Sequence, residues 1–186
     1  MAVVMGNYAV TANGNIPISG YSHTGGGVVQ TSYSHVTTIT SRSLTINSNI
    51  SVTEIQTSIT LTSASNGVLI YARWSGEVDN LWNVMWGLER NGTYLTDPGN
   101  TPGSRGYGVL PGGDCYAAAA ENNGSTPAMV DFWWYDEPGS LNTLTYTLTC
   151  RSATGTVLYI NRTFSDTNNN VYQRMTSGIM LWEIAR

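Results

Sequence analysis

The clearest alternation of apolar and polar positions lies at residues 142–162, NTLTYTLTCRSATGTVLYINR. Leu144, Tyr146, Leu148 and Cys150 share one parity and Thr143, Thr145, Thr147 and Thr149 the other, the period-two signature of a strand with one buried face. The Arg-Ser-Ala-Thr-Gly segment that follows ends on a glycine able to take positive φ, and residues 156–160 resume with β-branched and aromatic side chains. The stretch predicts a hairpin.

The same period recurs through the chain. Ile55, Ile59 and Leu61 alternate with Gln56, Ser58 and Thr60, while Ile39, Leu44, Ile46, Ile50 and Val52 mark shorter strands broken by Ser-Asn pairs. Residues 68–74, VLIYARW, are almost continuously apolar, as in a central strand covered on both faces. VMWGLER, Asn91-Gly92 and TYL predict a second hairpin, because Asn-Gly suits the turn that matches strand twist. AMVDFWWY at residues 128–135 and GIMLWEIA at residues 178–185 complete the set. Residues 97–113, rich in Gly, Pro, Asn, Ser and Thr, predict a long loop, and residues 117–120 fit a helical turn or a strand equally well. No capping box precedes an apolar run of helical period.

About 8–10 short strands with frequent turn signals predict an all-β antiparallel jelly-roll sandwich. Residues 1–27 differ in texture: glycines and Pro17 separate Val3, Val4, Met5, Tyr8, Val10, Ile16 and Ile18, so the segment cannot bury a face of its own. It is expected to be an extended N-terminal arm to a β-sandwich domain over residues 28–186, with Val3, Val4, Tyr8, Ile16 and Ile18 ordering against a partner.

Composition narrows the function. Charged residues are 11% of the chain, all eight basic residues are arginine, and the net charge is −4. That gives no basic footprint for nucleic acid, so no nucleic-acid partner is expected. A neutral Ser, Thr, Asn, Gly and Tyr surface suits permanent assembly, a sugar-binding face or a particle exterior. The N-terminus lacks a basic region followed by an apolar run, and no stretch reaches the ~18 apolar residues of a membrane span, so neither secretion by that route nor membrane association is expected.

Candidate chemistry is sparse. His23 and His35 have no nucleophile motif to serve, and Cys115 and Cys150 lack the paired spacing of a zinc site. Both cysteines are expected to be free thiols. Asp166, Asn168 and Asn170 sit at calcium-loop spacing, but Val171 and Ser177 stand where that loop needs Gly and Glu, so an Asn-rich turn is the default. Asp131, Asp136 and Glu137 offer a glycosidase pair on paper, yet acids flanking Pro138-Gly139 ordinarily solvate a turn. Residues 106–113, GYGVLPGG, lack the Gly-Lys-Ser/Thr of a phosphate loop. No catalysis, cofactor or metal is expected.

Six tryptophans and eleven tyrosines against two phenylalanines are the more informative signal, since side chains with an apolar body and a polar tip favour interfaces and carbohydrate. Trp82, Trp86, Trp133 and Trp134 are the candidates for a subunit interface or a glycan platform. Trp133 and Trp134 are neighbours on one strand and must face opposite ways. Trp74 and Trp182 are expected to fill the core.

Several motifs in order, GGGVVQ, GVLIYARWSGEV, LERNGTYL, FWWYDEPGSLNTLTYTLTCRSATGTVLYINR and the terminal TSGIMLWEI with Glu183, resemble a family of bacteriophage virion proteins with a C-terminal jelly-roll domain. The resemblance spans about residues 25–186. It implies a homotrimer similar in topology to complement heads and tumour-necrosis-factor-like domains, used on the virion exterior after assembly in the host cytoplasm. A capsid decoration or cement protein, with the major capsid protein as partner, fits the short arm best. The alternatives are a short tail-fibre or receptor-binding tip for host surface glycan and, third, a free carbohydrate-binding module.

Overall fold

The structure, a computed structural model, describes residues 26–79, 83–97, 105–112 and 124–186. Within them the chain forms β1 (Val28–Val36), β2 (Thr40–Leu44), β3 (Asn49–Thr60), β4 (Gly67–Val78), β5 (Val84–Arg90), β6 (Thr93–Tyr94), β7 (Leu110–Pro111), β8 (Ala128–Asp136), β9 (Thr143–Ser152), β10 (Thr156–Ile160) and β11 (Ser177–Ile184). No helix occurs among the described residues. Of the expected arm only Gly26 and Gly27 are described; Val3, Val4, Tyr8, Ile16 and Ile18 lie outside the described residues.

Two antiparallel sheets result. In the first, β4 carries β8 on one edge, from Val68 opposite Asp136 to Gly76 opposite Ala128, and β11 followed by β10 on the other. β1 pairs with β11 and β2 with β10, so β1/β2 and β10/β11 are each one row with a break. The second break is a long excursion over residues 161–176. In the second sheet β9 lies between β3 and β5, and β5 carries β6 and β7 on its far edge. The chain changes sheet between β2 and β3, β3 and β4, β4 and β5, β7 and β8, β8 and β9, and β9 and β10. That alternation is the jelly roll. Among the described residues eleven strands are seen rather than eight to ten because three of the eight rows are broken in two.

The predicted β5–β6 hairpin forms with Asn91 at φ 50° and Gly92 at φ 79°, both in the left-handed region its turn needs. The predicted β9–β10 hairpin does not. β9 has both edges occupied, by β3 and β5, so the chain turns through Gly155 (φ 71°) and crosses to the first sheet, where β10 pairs with β4 and β2. The parity of β9 is as read: Leu144, Tyr146, Leu148 and Cys150 are all buried. Cys150 carries a free thiol, and Cys115 lies outside the described residues. In β3, Val52 and Ile55 are both in the core although an odd spacing separates them, and a register shift between Val52 and Gln56 makes that possible.

Trp74 and Trp86 meet between the sheets with ring centroids 4.7 Å apart, and Trp74 Nε1 donates to Tyr159 O at 3.1 Å. Two polar ties flank this core. Asp136 Oδ2 on β8 accepts from Arg90 Nη1 on β5 (2.5 Å) and from the Tyr146 hydroxyl on β9 (2.7 Å), joining the sheets. Glu183 on β11, fully buried, accepts from Gln30 Nε2 (2.6 Å), Thr62 N (2.8 Å), Thr62 Oγ1 (2.7 Å) and Asn66 Nδ2 (2.6 Å). A buried carboxylate is tolerable when its lone pairs are met in this way.

Candidate functional site: an aromatic sheet face

Alternation along β4 turns Val68, Ile70, Ala72 and Trp74 into the core and Leu69, Tyr71 and Arg73 outward. The two-sided burial expected of this strand is therefore supplied on one side only among the described residues. Its neighbours repeat the pattern. β11 sends Ile179 and Leu181 inward and Met180, Trp182 and Ile184 outward; β8 buries Val130 and Phe132 and presents Met129, Asp131, Trp133 and Tyr135. Tyr33 on β1, 70% exposed, continues the face opposite Met180.

The outward side chains are organised against one another. Trp133 stands opposite Tyr71 with centroids 4.7 Å apart, and it stacks on Trp182 at 5.2 Å and 29° across the width of β4. Trp133 is still 54% exposed, Met129 55% and Tyr135 43%. The aromatic side chains of three strands thus form one continuous, partly exposed face. The Tyr71 hydroxyl donates to Asp131 Oδ2 at 2.7 Å, and that hydrogen bond, with burial, raises the phenol's pKa. A depression of about 280 Å³ opens over Gly178, between Tyr33, His35, Tyr71, Arg73 and Met180.

The tryptophan candidates part company here. Trp133 lies at the centre of the face. Trp86 is sealed in the core, sharing parity with Val84 and Leu88, and offers nothing to a partner or a glycan. Trp134 turns inward and packs against the core, because its neighbour Trp133 takes the outer side. Trp82 lies outside the described residues. Trp182, expected in the core, is on the outer face instead, one residue out of phase with Leu181. Tyr71, Tyr33 and Met180 were not singled out by sequence; for Tyr71 and Met180 the signal available was the apolar character of both parities in residues 68–74 and 178–185.

The acids do not converge. Asp131 lies on the outer face, Asp136 on the opposite side of the same strand in the Arg90–Tyr146 tie, and Glu137 pairs with Arg186 at 2.7 Å. His35 borders the depression over Gly178, and His23 lies outside the described residues. Asp166 is ion-paired with both Arg162 and Arg174, which opposes a cation at the Asp-Thr-Asn-Asn-Asn turn. Among the described residues no three His, Cys, Asp or Glu side chains gather as a metal site, and no helix is long and apolar enough to cross a membrane.

Comparison of the chain with protein-family models gives no match, and comparison with curated protein sequences gives none either.

Proposed function

We propose that this chain is a structural protein of a bacteriophage particle, a homotrimer whose subunits meet through the outer face of the first sheet and which decorates the exterior of the head shell. The observation that supports the assembly is the face itself: β4 carries Leu69 and Tyr71 on its outer side, and with Trp133, Trp182 and Met129 they form a face that none of the other described residues covers. Aromatic and methionine side chains are those enriched in buried interface cores. The virion setting rests on the resemblance of residues 25–186 to phage jelly-roll proteins. In this reading the rigid trimer bridges capsid subunits mechanically, and residues 1–27 add contacts to the shell.

Light scattering on the purified protein is expected to give about 60 kDa, three times the 20.1 kDa chain, as closed cyclic symmetry requires. A monomer at micromolar concentration would remove the basis of the proposal. Attachment is tested by mixing full-length protein, and protein lacking residues 1–27, with particles devoid of it, then sedimenting. The full-length trimer should co-pellet with the particles and the truncated trimer should not.

A further inference from the structure

The outer face of the first sheet carries few charges, and their balance turns on one side chain. Among the described residues its open part, on β1, β11, β4 and β8, holds one cation, Arg73, and one anion, Asp131, which stand opposite each other on β4 and β8. Glu183 and Asp136 belong to the same strands but turn inward, and Glu137 pairs with Arg186 at the strand ends (2.7 Å). Glu77, further along β4, is fully buried and accepts from Thr126 Oγ1 (2.9 Å) and Phe164 N (2.7 Å). At neutral pH the open face therefore sums to zero. Three copies of it also sum to zero, whatever the angle at which they meet.

His35 is the group able to upset this balance. It lies on β1 opposite Gly178 of β11, and Arg73 lies opposite Gly178 from the other side, on β4. A Cβ at Gly178 would come within 2.8 Å of Ser34 O, so no side chain stands between the two. The imidazole and the guanidinium share the depression of about 280 Å³ with Tyr33, Tyr71 and Met180, and no acid lines it. Arg73 Nε is turned to Ser75 Oγ (3.3 Å), and no hydrogen bond or ion pair among the described residues holds His35. Asp131 stands on the far side of Arg73, its Oδ2 accepting from the Tyr71 hydroxyl (2.7 Å). The other titratable neighbours, Tyr33 and Tyr71, are phenols, which carry no charge in mild acid.

We propose that protonation of His35 opposes assembly, so that the trimer holds at neutral pH and comes apart in mild acid. Histidine is the side chain whose charge ordinarily changes between about pH 5 and 8. A protonated His35 adds one uncompensated positive charge per subunit, beside Arg73, to a face that assembly takes out of water. Lost hydration and like charge both disfavour that burial. The free subunit thus holds the proton, assembly releases it, and the trimer strengthens as pH rises. With one His35 per subunit, the logarithm of the association constant climbs by up to about three per pH unit through the titration and levels off above it. The inference rests on the outer face being the subunit contact.

The test is light scattering over a dilution series of the full-length protein at pH 7.5 and at pH 5.5, with His35→Gln and His35→Arg beside it. The parent protein should be a trimer at pH 7.5, with its midpoint concentration raised about tenfold or more at pH 5.5. His35→Gln should stay within about twofold of its own pH 7.5 value, and His35→Arg, charged throughout, should already behave at pH 7.5 as the parent does in acid. His23→Gln, which removes the chain's other histidine, should keep the parent's response. A parent protein that is a monomer at pH 7.5 overturns the contact itself and this inference with it. A trimer at pH 7.5 that persists unchanged at pH 5.5, or a His35→Gln protein that dissociates in acid as the parent does, overturns the role of His35 and leaves the contact standing.

Discussion

Trp133 and Trp182 stack at 5.2 Å on the outside of the sandwich although they belong to β8 and β11, which do not pair with each other: β4 runs between them. The two indoles reach across Leu69 and Tyr71, so three strands present one aromatic surface. Their mutual contact leaves half of Trp133 open.

Replacing Trp133 by Glu therefore separates folding from assembly. Within the chain the substitution removes a partly exposed contact, so thermal unfolding should remain cooperative, at a midpoint lowered by what assembly contributes and no longer dependent on protein concentration. Within the proposed trimer it places a charge at a hot spot, where losses of about 2 kcal/mol or more, roughly 30-fold in affinity, are ordinary. Light scattering should then show a folded monomer at concentrations where the parent protein is a trimer. A Trp133→Glu trimer of undiminished stability would show that subunits meet elsewhere.

The strands were legible because parity is local, whereas their partners were not. The alternation of residues 143–150 fixes a strand with Leu144, Tyr146, Leu148 and Cys150 inside, but nothing local shows that β3 and β5 occupy both its edges and push β10 to the other sheet. The same limit governs the site. Trp86 was placeable in the core from its phase with Val84 and Leu88, while Trp182 was not, because Met180, Trp182 and Ile184 are as apolar as Ile179 and Leu181. Which of two apolar parities faces the second sheet depends on strands far away in sequence.

Glu183 makes stability fall in acid. Burial alone would raise its carboxyl, but hydrogen bonds from Asn66, Gln30 and Thr62 outweigh that and hold its pKa at about 2, below the ordinary 4.5. A group depressed on folding stabilises above its unfolded value and loses that contribution as pH falls through its folded one. The Glu183 contribution is thus complete above pH 4.5 and is lost between about 4.5 and 2. Glu183→Gln puts a donor where donors already converge, costing about 1–3 kcal/mol at neutral pH. Denaturant unfolding of both proteins from pH 7 to 2.5 should show the difference between them shrinking on acidification. A difference constant across that range would assign the titration to other carboxyls.

Cys150 should be chemically silent while the protein is folded. Its side chain is fully buried and burial raises the thiol's pKa, so neither access nor thiolate is available at pH 8. In a Cys115→Ser background, which leaves Cys150 as the single thiol, labelling by a chromogenic disulfide reagent should proceed at the rate of unfolding and accelerate in urea. Fast stoichiometric labelling in buffer would contradict the packing of β9 against the core.

Asp136 supplies the last prediction, and it discriminates a structural tie from a catalytic acid. Its Oδ2 holds Arg90 at 2.5 Å and the Tyr146 hydroxyl at 2.7 Å, with the Asp136 side chain only 12% exposed. Asp136→Asn keeps an acceptor for Tyr146 but leaves the Arg90 charge without its counter-ion. Removing one partner of a fully buried pair costs about 3–5 kcal/mol, and partial solvation of Arg90 lowers the expectation here to about 1–3 kcal/mol. Replacing both residues, Asp136→Asn with Arg90→Met, removes the stranded charge, so the double variant should be more stable than the sum of the single losses implies. A catalytic carboxylate behaves differently: its removal ordinarily leaves stability unchanged or raised, because active-site acids are held at a cost to the fold. Urea unfolding of the four proteins at pH 7 decides between them. Additive losses, or an Asp136→Asn variant more stable than the parent, would show that the contact between the sheets does not rest on this ion pair.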